Sequence, residues 1–399
     1  MNKKTKTTKI RGDRVITLAI LFLLIYGTLM ITSAEMGTYT GDNAKIALAI
    51  AKQLFYCIIG IISMVAISRF DFGKFKFKFY VGLALFGFAL LAYCMTFDST
   101  MGANAWIYMF GFSIQPSEFA KIISMICLAK VLSSKYHSLE EEINRVWTMI
   151  AIVFACIFFV ILVQRDTGSG AVMFVMACGM ILMSNKKSVY RFKNLITICM
   201  LVGVILAVIL ISPLVTPKLA NINSDSYIVN RFVAFADPFK YQYDIGYHLV
   251  MSLLAFANGG FFGKGYGSSI YKYMNFPNQS NDFILAIIVE ELGIFGFLLV
   301  IIPYGIIVYR LIRHAFSKYA DVRSRVILIG TILMLLTHFI FNVGGVTGFI
   351  PLTGVPLLLI SSGGSSIVAF LLAIGLSQSE IKRIKRKREM DNARSSGQI

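Results

Sequence analysis

Long apolar runs separated by short polar breaks set the pattern of this chain. Ten runs are long enough to cross a hydrocarbon layer of about 30 Å. They lie near 15–34, 46–68, 79–97, 117–134, 146–163, 169–185, 195–213, 282–308, 325–342 and 359–378. The pattern predicts an all-α, polytopic integral membrane protein with ten transmembrane helices, and an even number puts both termini on one side. The longest interval, about 214–281, predicts a large loop between helices 7 and 8, and loops of that length are usually functional or disordered. It is not low-complexity, since it holds Arg231, Asp237-Pro238, Gly246-Tyr247-His248 and a glycine cluster around Lys264. Within it, Tyr247–Ala257 predicts a helix lying at the membrane interface. The glycines from Gly259 to Gly267 permit tight turns close to a ligand. They lack the following helix and the Lys-Ser/Thr of a nucleotide-binding loop, which excludes that function.

Composition agrees: of 399 residues, 57% are hydrophobic and 15% charged, against about a quarter charged in soluble domains. Charge then sets the orientation. Of 38 Lys and Arg, 29 fall in the N-terminal tail, 69–78, 130–145, 184–194, 309–325 and the C-terminal tail. Such loops face the cytoplasm, so 1–14 and 379–399 read as cytoplasmic basic tails flanking a membrane domain at 15–378. Segments 98–116 and 343–358 contain no Lys or Arg and face outward with 214–281. The clustering also removes nucleic acid as a partner of the +18 net charge, because anionic lipid headgroups suffice for Lys382–Arg388. The first run is long and has no clear small-residue cleavage site, unlike a removed signal. Six cysteines lie in apolar runs without paired spacing and read as small buried hydrophobes. Four scattered histidines do not suggest a His-based metal site.

Four polar stretches interrupt the apolar pattern. Phe276–Asn281 is turn-forming and ends at Asp282, where an apolar run begins that also carries Glu290 and Glu291. If that run is helical, Glu290 lies roughly 12 Å beyond Asp282, deep enough to be paired or functional. Asp282 either caps the helix or does chemistry at a water-accessible mouth. Gln115-Pro116-Ser117-Glu118 precedes Lys121, and Glu118 shares a helix face with Lys121. The two either neutralise each other, or Lys121 meets a phosphate. Asp166-Thr167-Gly168-Ser169 forms a short hairpin in which Asp166 or Thr167 caps a helix, or Asp166 orders a catalytic group or a cation. Finally, 344–366 is rich in Gly, Ser and Pro, and irregular backbone at membrane depth must be buried or line a cavity.

In these motifs the chain resembles the SEDS family of bacterial envelope proteins, the FtsW, RodA and SpoVE group. The likeness spans essentially the whole chain. Five matches run in order: Gln115–Glu118 with Lys121, Asp166–Ser169, Gly259-Gly260 with Gly263–Gly265, Asp282–Ile284 with Glu290–Gly293, and Ser361–Ser365. Departures are Ala105 where the family has Arg, Ser280-Asn281 for His-Thr, Ser362 for Tyr and Leu358 for Pro. Thr353-Gly354 is nearer the division and sporulation branch than the elongation branch.

The resemblance implies a peptidoglycan glycosyltransferase of the bacterial cytoplasmic membrane. It would polymerise lipid II outside, with a class B penicillin-binding protein and other divisome or elongasome membrane proteins as partners. It maps the catalytic acid to Asp282 and brings Lys121, Asp166, Glu118 and Ser365 to one cavity. A sugar hydroxyl needs a positioned carboxylate to take its proton. The leaving pyrophosphate needs positive charge, from Lys121, Arg231 or Lys264, or from a divalent cation (Mg or Mn) held by carboxylates. Two other classes fit the same residues: a flippase for lipid-linked precursors working through Glu118, Glu290 and Glu291, and an inactive scaffold that recruits a transpeptidase.

Overall fold

The computed structural model describes residues 11–97, 104–109, 111–212, 215, 227–274 and 276–395. Gly102 and Ala103, the outermost parts of both tails and most of 213–226 lie outside the described residues. Helices occupy each of the ten apolar runs: α1 (Arg14–Thr38), α2 (Asn43–Ile67), α3 (Phe77–Tyr93), α4 (Pro116–Ser133), α5 (Leu139–Phe158), α6 (Thr167–Leu182) and α7 (Lys187–Ile211) come first. Two helices in the long loop follow, α8 (Tyr227–Ala236) and α9 (Tyr247–Gly259). The last three are α10 (Ile284–Ala315), α11 (Val322–Val346) and α12 (Gly364–Ser395). Seven of them (α1, α2, α3, α5, α10, α11 and α12) are long and apolar enough to cross a membrane, and α6 is a shorter apolar helix. The chain is a multi-pass membrane protein.

The starts follow from local chemistry. Asp13, Asp42, Ser138, Asp166 and Asp321 cap α1, α2, α5, α6 and α11 through their side chains, and Pro116 opens α4, where no amide hydrogen is needed. Large apolar side chains on α2, α3 and α7, such as Ile62, Phe86 and Leu201, point away from the protein. By contrast, α4, α6, α11 and α12 are packed among buried residues.

Structure and expectation differ in four places. A short antiparallel hairpin pairs β1 (Ile107–Met109) with β2 (Phe112–Ile114) in a fold expected to be all helix. The last helix starts at Gly364 rather than near 359, because 351–363 turns irregularly and Leu359 has φ of 65°. The basic tail continues the same helix to Ser395. Cys199 is exposed, while the other five cysteines are buried.

The two ends of the chain meet. Gln378 accepts from the Asp13 amide (2.6 Å) and donates to the Asp13 carbonyl (2.9 Å). Asp13 also pairs with Arg310 at 2.6 Å and contacts His314 at 2.8 Å. Much of the tail's charge is spent within the protein: Lys387 pairs with Asp321 at 3.1 Å, and Lys385 donates to the Gly12 carbonyl at 2.8 Å.

Candidate active site

An extended segment without helix or strand, Thr353-Gly354-Val355-Pro356, joins the polar motifs of the sequence. Each residue in it meets a different element. Thr353 lies against the Asp166 hairpin so closely that a Cβ on Gly168 would come within 2.7 Å of the Thr353 carbonyl. Gly354 has φ of 69°, and the Arg231 guanidinium lies against it, 3.0 Å from where a Cβ would stand. The Val355 carbonyl accepts from Asn342 Nδ2 (3.0 Å), which also donates to the Asp282 carbonyl (2.8 Å). The Pro356 carbonyl lies 3.1 Å from His338 Nδ1, and His338 Nε2 lies 3.1 Å from Lys121 Nζ. A carbonyl can only accept and an ammonium only donate, so the proton sits on Nδ1.

Asp282 stands in a turn just before α10. The cap position belongs to Phe283, which has no capping side chain, so Asp282 does not act as the N-cap of this helix. The residue is half-buried. Burial of the turn raises its pKa from 3.8 to about 6, against the opposing pull of Arg231 on α8. The turn is fastened on its other side, where the Ser362 amide donates to the Ser280 carbonyl (2.8 Å).

Lys121 is fully buried, and its ammonium lies 2.7 Å from Glu118 Oε1. The second oxygen, Glu118 Oε2, is buried without a hydrogen-bond partner. Asp166 caps α6 by accepting from the Ser169 amide (3.0 Å), and its other oxygen accepts from Gln115 Nε2 (2.7 Å). The Gln115 amide donates to Ser365 Oγ (3.1 Å). Asp166, Ser365 and the start of α4 are thus one connected unit. Lys264 is set apart: it is exposed on the glycine loop, and its amide donates to the Glu290 carbonyl (3.0 Å).

Glu290 and Glu291 hold that loop. Glu290 accepts from Asn258 (2.8 Å) and from the Ile270 amide (2.9 Å). Glu291 accepts from Ser33 (2.6 Å), from the Gly267 amide (3.0 Å) and from Lys272 in a fully buried ion pair at 2.8 Å. Just beyond them, Gly293 breaks the regular course of α10.

Sequence reasoning missed Lys272, Asn342 and His338 as site-building residues. One structural signal marks the region independently. Among the described residues, the non-glycine positions with positive φ are Arg165, Asn278 and Leu359, one each in the hairpin, the Asp282 turn and the segment after Pro356. Such backbone costs roughly 1–3 kcal/mol per residue and clusters at functional sites. Among the described residues no three His, Cys, Asp or Glu side chains come together as a metal-ligand set.

Comparison with known proteins agrees with the motifs. A family model for cell cycle proteins of the FtsW, RodA and SpoVE type matches residues 13–388. The probable peptidoglycan glycosyltransferase FtsW of Bacillus subtilis (strain 168) is 33% identical over 367 residues, covering 91% of this chain and 89% of that one. Stage V sporulation protein E of the same organism is 30% identical over 375 residues, covering 93% and 97%. Among solved structures, a chain of a peptidoglycan synthase complex for polymerization and crosslinking superposes with a TM-score of 0.67 at 20% identity, over 94% of this chain and 98% of that one. The rod shape determining protein RodA of Thermus thermophilus gives a TM-score of 0.59 at 19% identity, over 92% and 96%. With motifs, relatives and fold in agreement over nearly its whole length, the chain belongs to the FtsW, RodA and SpoVE family of cell cycle proteins.

Proposed function

We propose that this protein is a peptidoglycan glycosyltransferase that polymerises lipid II at the outer face of the bacterial cytoplasmic membrane. In this reading ten helices cross the bilayer, both termini are cytoplasmic, and the loop 214–281 is external. The observation that carries the reading is the convergence of Asp282, Arg231, Lys121 and the Asp166 hairpin on Thr353–Pro356.

The acceptor's sugar hydroxyl attacks the anomeric carbon of the lipid-linked donor. Its proton passes to the Asp282 carboxylate as the new glycosidic bond forms. The bond from the anomeric carbon to the pyrophosphate oxygen breaks, and the lipid pyrophosphate leaves with the electron pair. A base is most useful when its pKa lies near the working pH, and a carboxyl at about 6 is closer to that than an ordinary one. Lys121 and Arg231 provide the positive charge for the leaving group, while Asp166, Glu118 and Ser365 shape and order the site. Lys264 contributes only if the glycine loop moves toward the substrate. A class B penicillin-binding protein is the partner expected to crosslink the product, alongside other division or elongation membrane proteins.

The flippase alternative would need acids available within the membrane. Of the three acids that reading would use, Glu290 and Glu291 are engaged with the glycine loop and Lys272, which supports the enzyme, while Glu118 pairs with Lys121 through one oxygen and keeps the other buried without a partner. The deciding experiment gives lipid II to purified protein, alone and with a candidate partner, and measures glycan chains. Asp282→Asn keeps the side-chain shape and removes the proton acceptor, so the rate should fall by about 10²–10⁴-fold with yield retained. A variant that polymerises at the normal rate would end the assignment of the base. Unimpaired polymer-free protein, active only in assembling with a partner, would point to the scaffold.

A further inference from the structure

His338 and Asn342 stand one turn apart on α11, and each holds two groups at once. Asn342 Nδ2 donates to the carbonyls of Asp282 (2.8 Å) and Val355 (3.0 Å). His338 bridges the Pro356 carbonyl and the Lys121 ammonium, at 3.1 Å each. Val355 and Pro356 are neighbours in the chain. The turn carrying the carboxylate and the side chain carrying the ammonium are therefore tied to adjacent carbonyls by adjacent turns of one helix. We propose that His338 and Asn342 are positioning residues which together fix the separation between Asp282 and Lys121. The inference rests on the roles given to those two residues under the proposed function.

Three features call for such a device. Asp282 precedes α10, so no helical ladder sets its place. The ammonium of Lys121 ends a long flexible stem, and Glu118 alone would fix one point of it. The segment 351–356 has no helix or strand of its own, so its carbonyls need side-chain partners to stay in register. In the reaction, the base acts on the attacking oxygen and the cation acts on the leaving oxygen, on opposite sides of the anomeric carbon. A displacement of about 1 Å between two such groups can cost roughly 10²-fold in rate.

Plain packing would not select these residues. His338 and Asn342 are 0% and 3% exposed, and Asn342 Oδ1 is buried without a partner. An apolar side chain of similar size would fill the space without that orphaned oxygen. The polar atoms are present for what they hold.

The test measures lipid II polymerisation (kcat, KM and the pH profile) with membrane yield and thermal midpoint for each purified variant. Asn342→Leu should lower kcat by about 10–100-fold and shift the acid limb of the profile, because it releases the Asp282 turn. His338→Leu should lower kcat as well, because it loosens the cation that meets the leaving oxygen, and leave the acid limb in place. His338→Gln, which can still donate and accept, should recover most of the activity. Glu35, Arg231 and His248, which face the same turn, are left intact in every variant. If the two residues set one distance, the double Leu variant should lose less than the product of the single losses. Should Asn342→Leu accumulate poorly, Asn342→Ser is judged by the same criteria. The proposal is overturned if the single variants keep wild-type kcat, KM and pH profile. It is equally overturned if activity falls only in proportion to folded protein, with His338→Gln no better than His338→Leu. Asp282→Asn separates the two levels. If it is inactive while the α11 variants are normal, only the positioning role falls; if it is fully active, the proposed base falls and takes this inference with it.

Discussion

Replacing Lys121 by Met removes an ammonium that lies 2.7 Å from Glu118 and 3.1 Å from His338. From sequence alone, a substrate-binding role for Lys121 predicts a variant that folds normally and fails to turn over. The geometry changes that expectation. Both side chains of the pair are at most 1% exposed, and one Glu118 oxygen already has no partner. Removing one member of a buried pair typically costs about 3–5 kcal/mol, whereas replacing both can be nearly neutral. Lys121→Met should therefore lower the thermal midpoint, and Glu118→Gln combined with Lys121→Met should restore most of it.

Activity separates structure from chemistry. If Lys121 also stabilises the leaving pyrophosphate, the double variant remains about 10²–10³-fold slow, the usual loss for one transition-state donor. The assay is a thermal melt of each purified variant beside lipid II polymerisation. A stable double variant with the wild-type rate would make Lys121 purely structural. A single variant as stable as wild type would refute the burial argument itself.

The pH profile of polymerisation should rise through about 6, where Asp282 becomes ionised and able to accept a proton. Arg231 pulls that pKa down, so Arg231→Gln should move the limb to higher pH; a limb near the ordinary 3.8 would contradict the burial of the turn. Lys272→Met leaves Glu291 buried without its ion-pair partner and should destabilise the protein by about 3–5 kcal/mol, read as a lower midpoint and faster proteolysis of the glycine loop. Unchanged melting would refute a stabilising role for the buried Lys272–Glu291 pair. Gly354→Ala forces a side chain into left-handed backbone, at roughly 1–2 kcal/mol, and presses on Arg231. It should slow polymerisation more than the equally exposed Gly203→Ala, and equal effects would remove Arg231 from the site.

What the sequence made legible was contrast. Asp282, Glu118, Lys121 and Asp166 are charges beside apolar runs, and each run became a helix, although α5 and α7 begin seven or more residues early and α10 and α12 run seven or more residues past the expected end. Geometry bears on two of the readings left open at that stage: Glu118 and Lys121 pair, which leaves a role toward phosphate to the activity test above, and Asp282 is not the N-cap of α10. Asn342 and His338 were hidden because a neutral amide or a lone imidazole on an apolar helix leaves no period to read. Lys272 was hidden because a single lysine in a long loop looks like a solvated one. A subtler signal was present. Only nine Lys and Arg lie outside the basic segments read as cytoplasmic, and Lys121, Arg231 and Lys272 are among them. Where the positive-inside bias has removed most basic residues, those that remain are worth treating as placed.

The same physical problem is solved twice in this fold, and the solutions explain why the intramembrane polar residues are where they are. Irregular backbone close to apolar surroundings must find hydrogen-bond partners outside itself. The segment 353–356 finds them in Asn342 and His338 on α11. The glycine loop finds them in Glu290 and Glu291 on α10. In both cases a regular helix lends side chains to a stretch that cannot form a ladder. Glu290 and Glu291 then belong with the fold, since their oxygens are occupied by amides, hydroxyls and Lys272. Asp282 differs in kind. Its backbone carbonyl is the part that is held, and its side chain, on a half-buried residue, faces Arg231. A helix-anchored turn that fixes the main chain while leaving the acid available is what a base requires and what a purely structural acid does not.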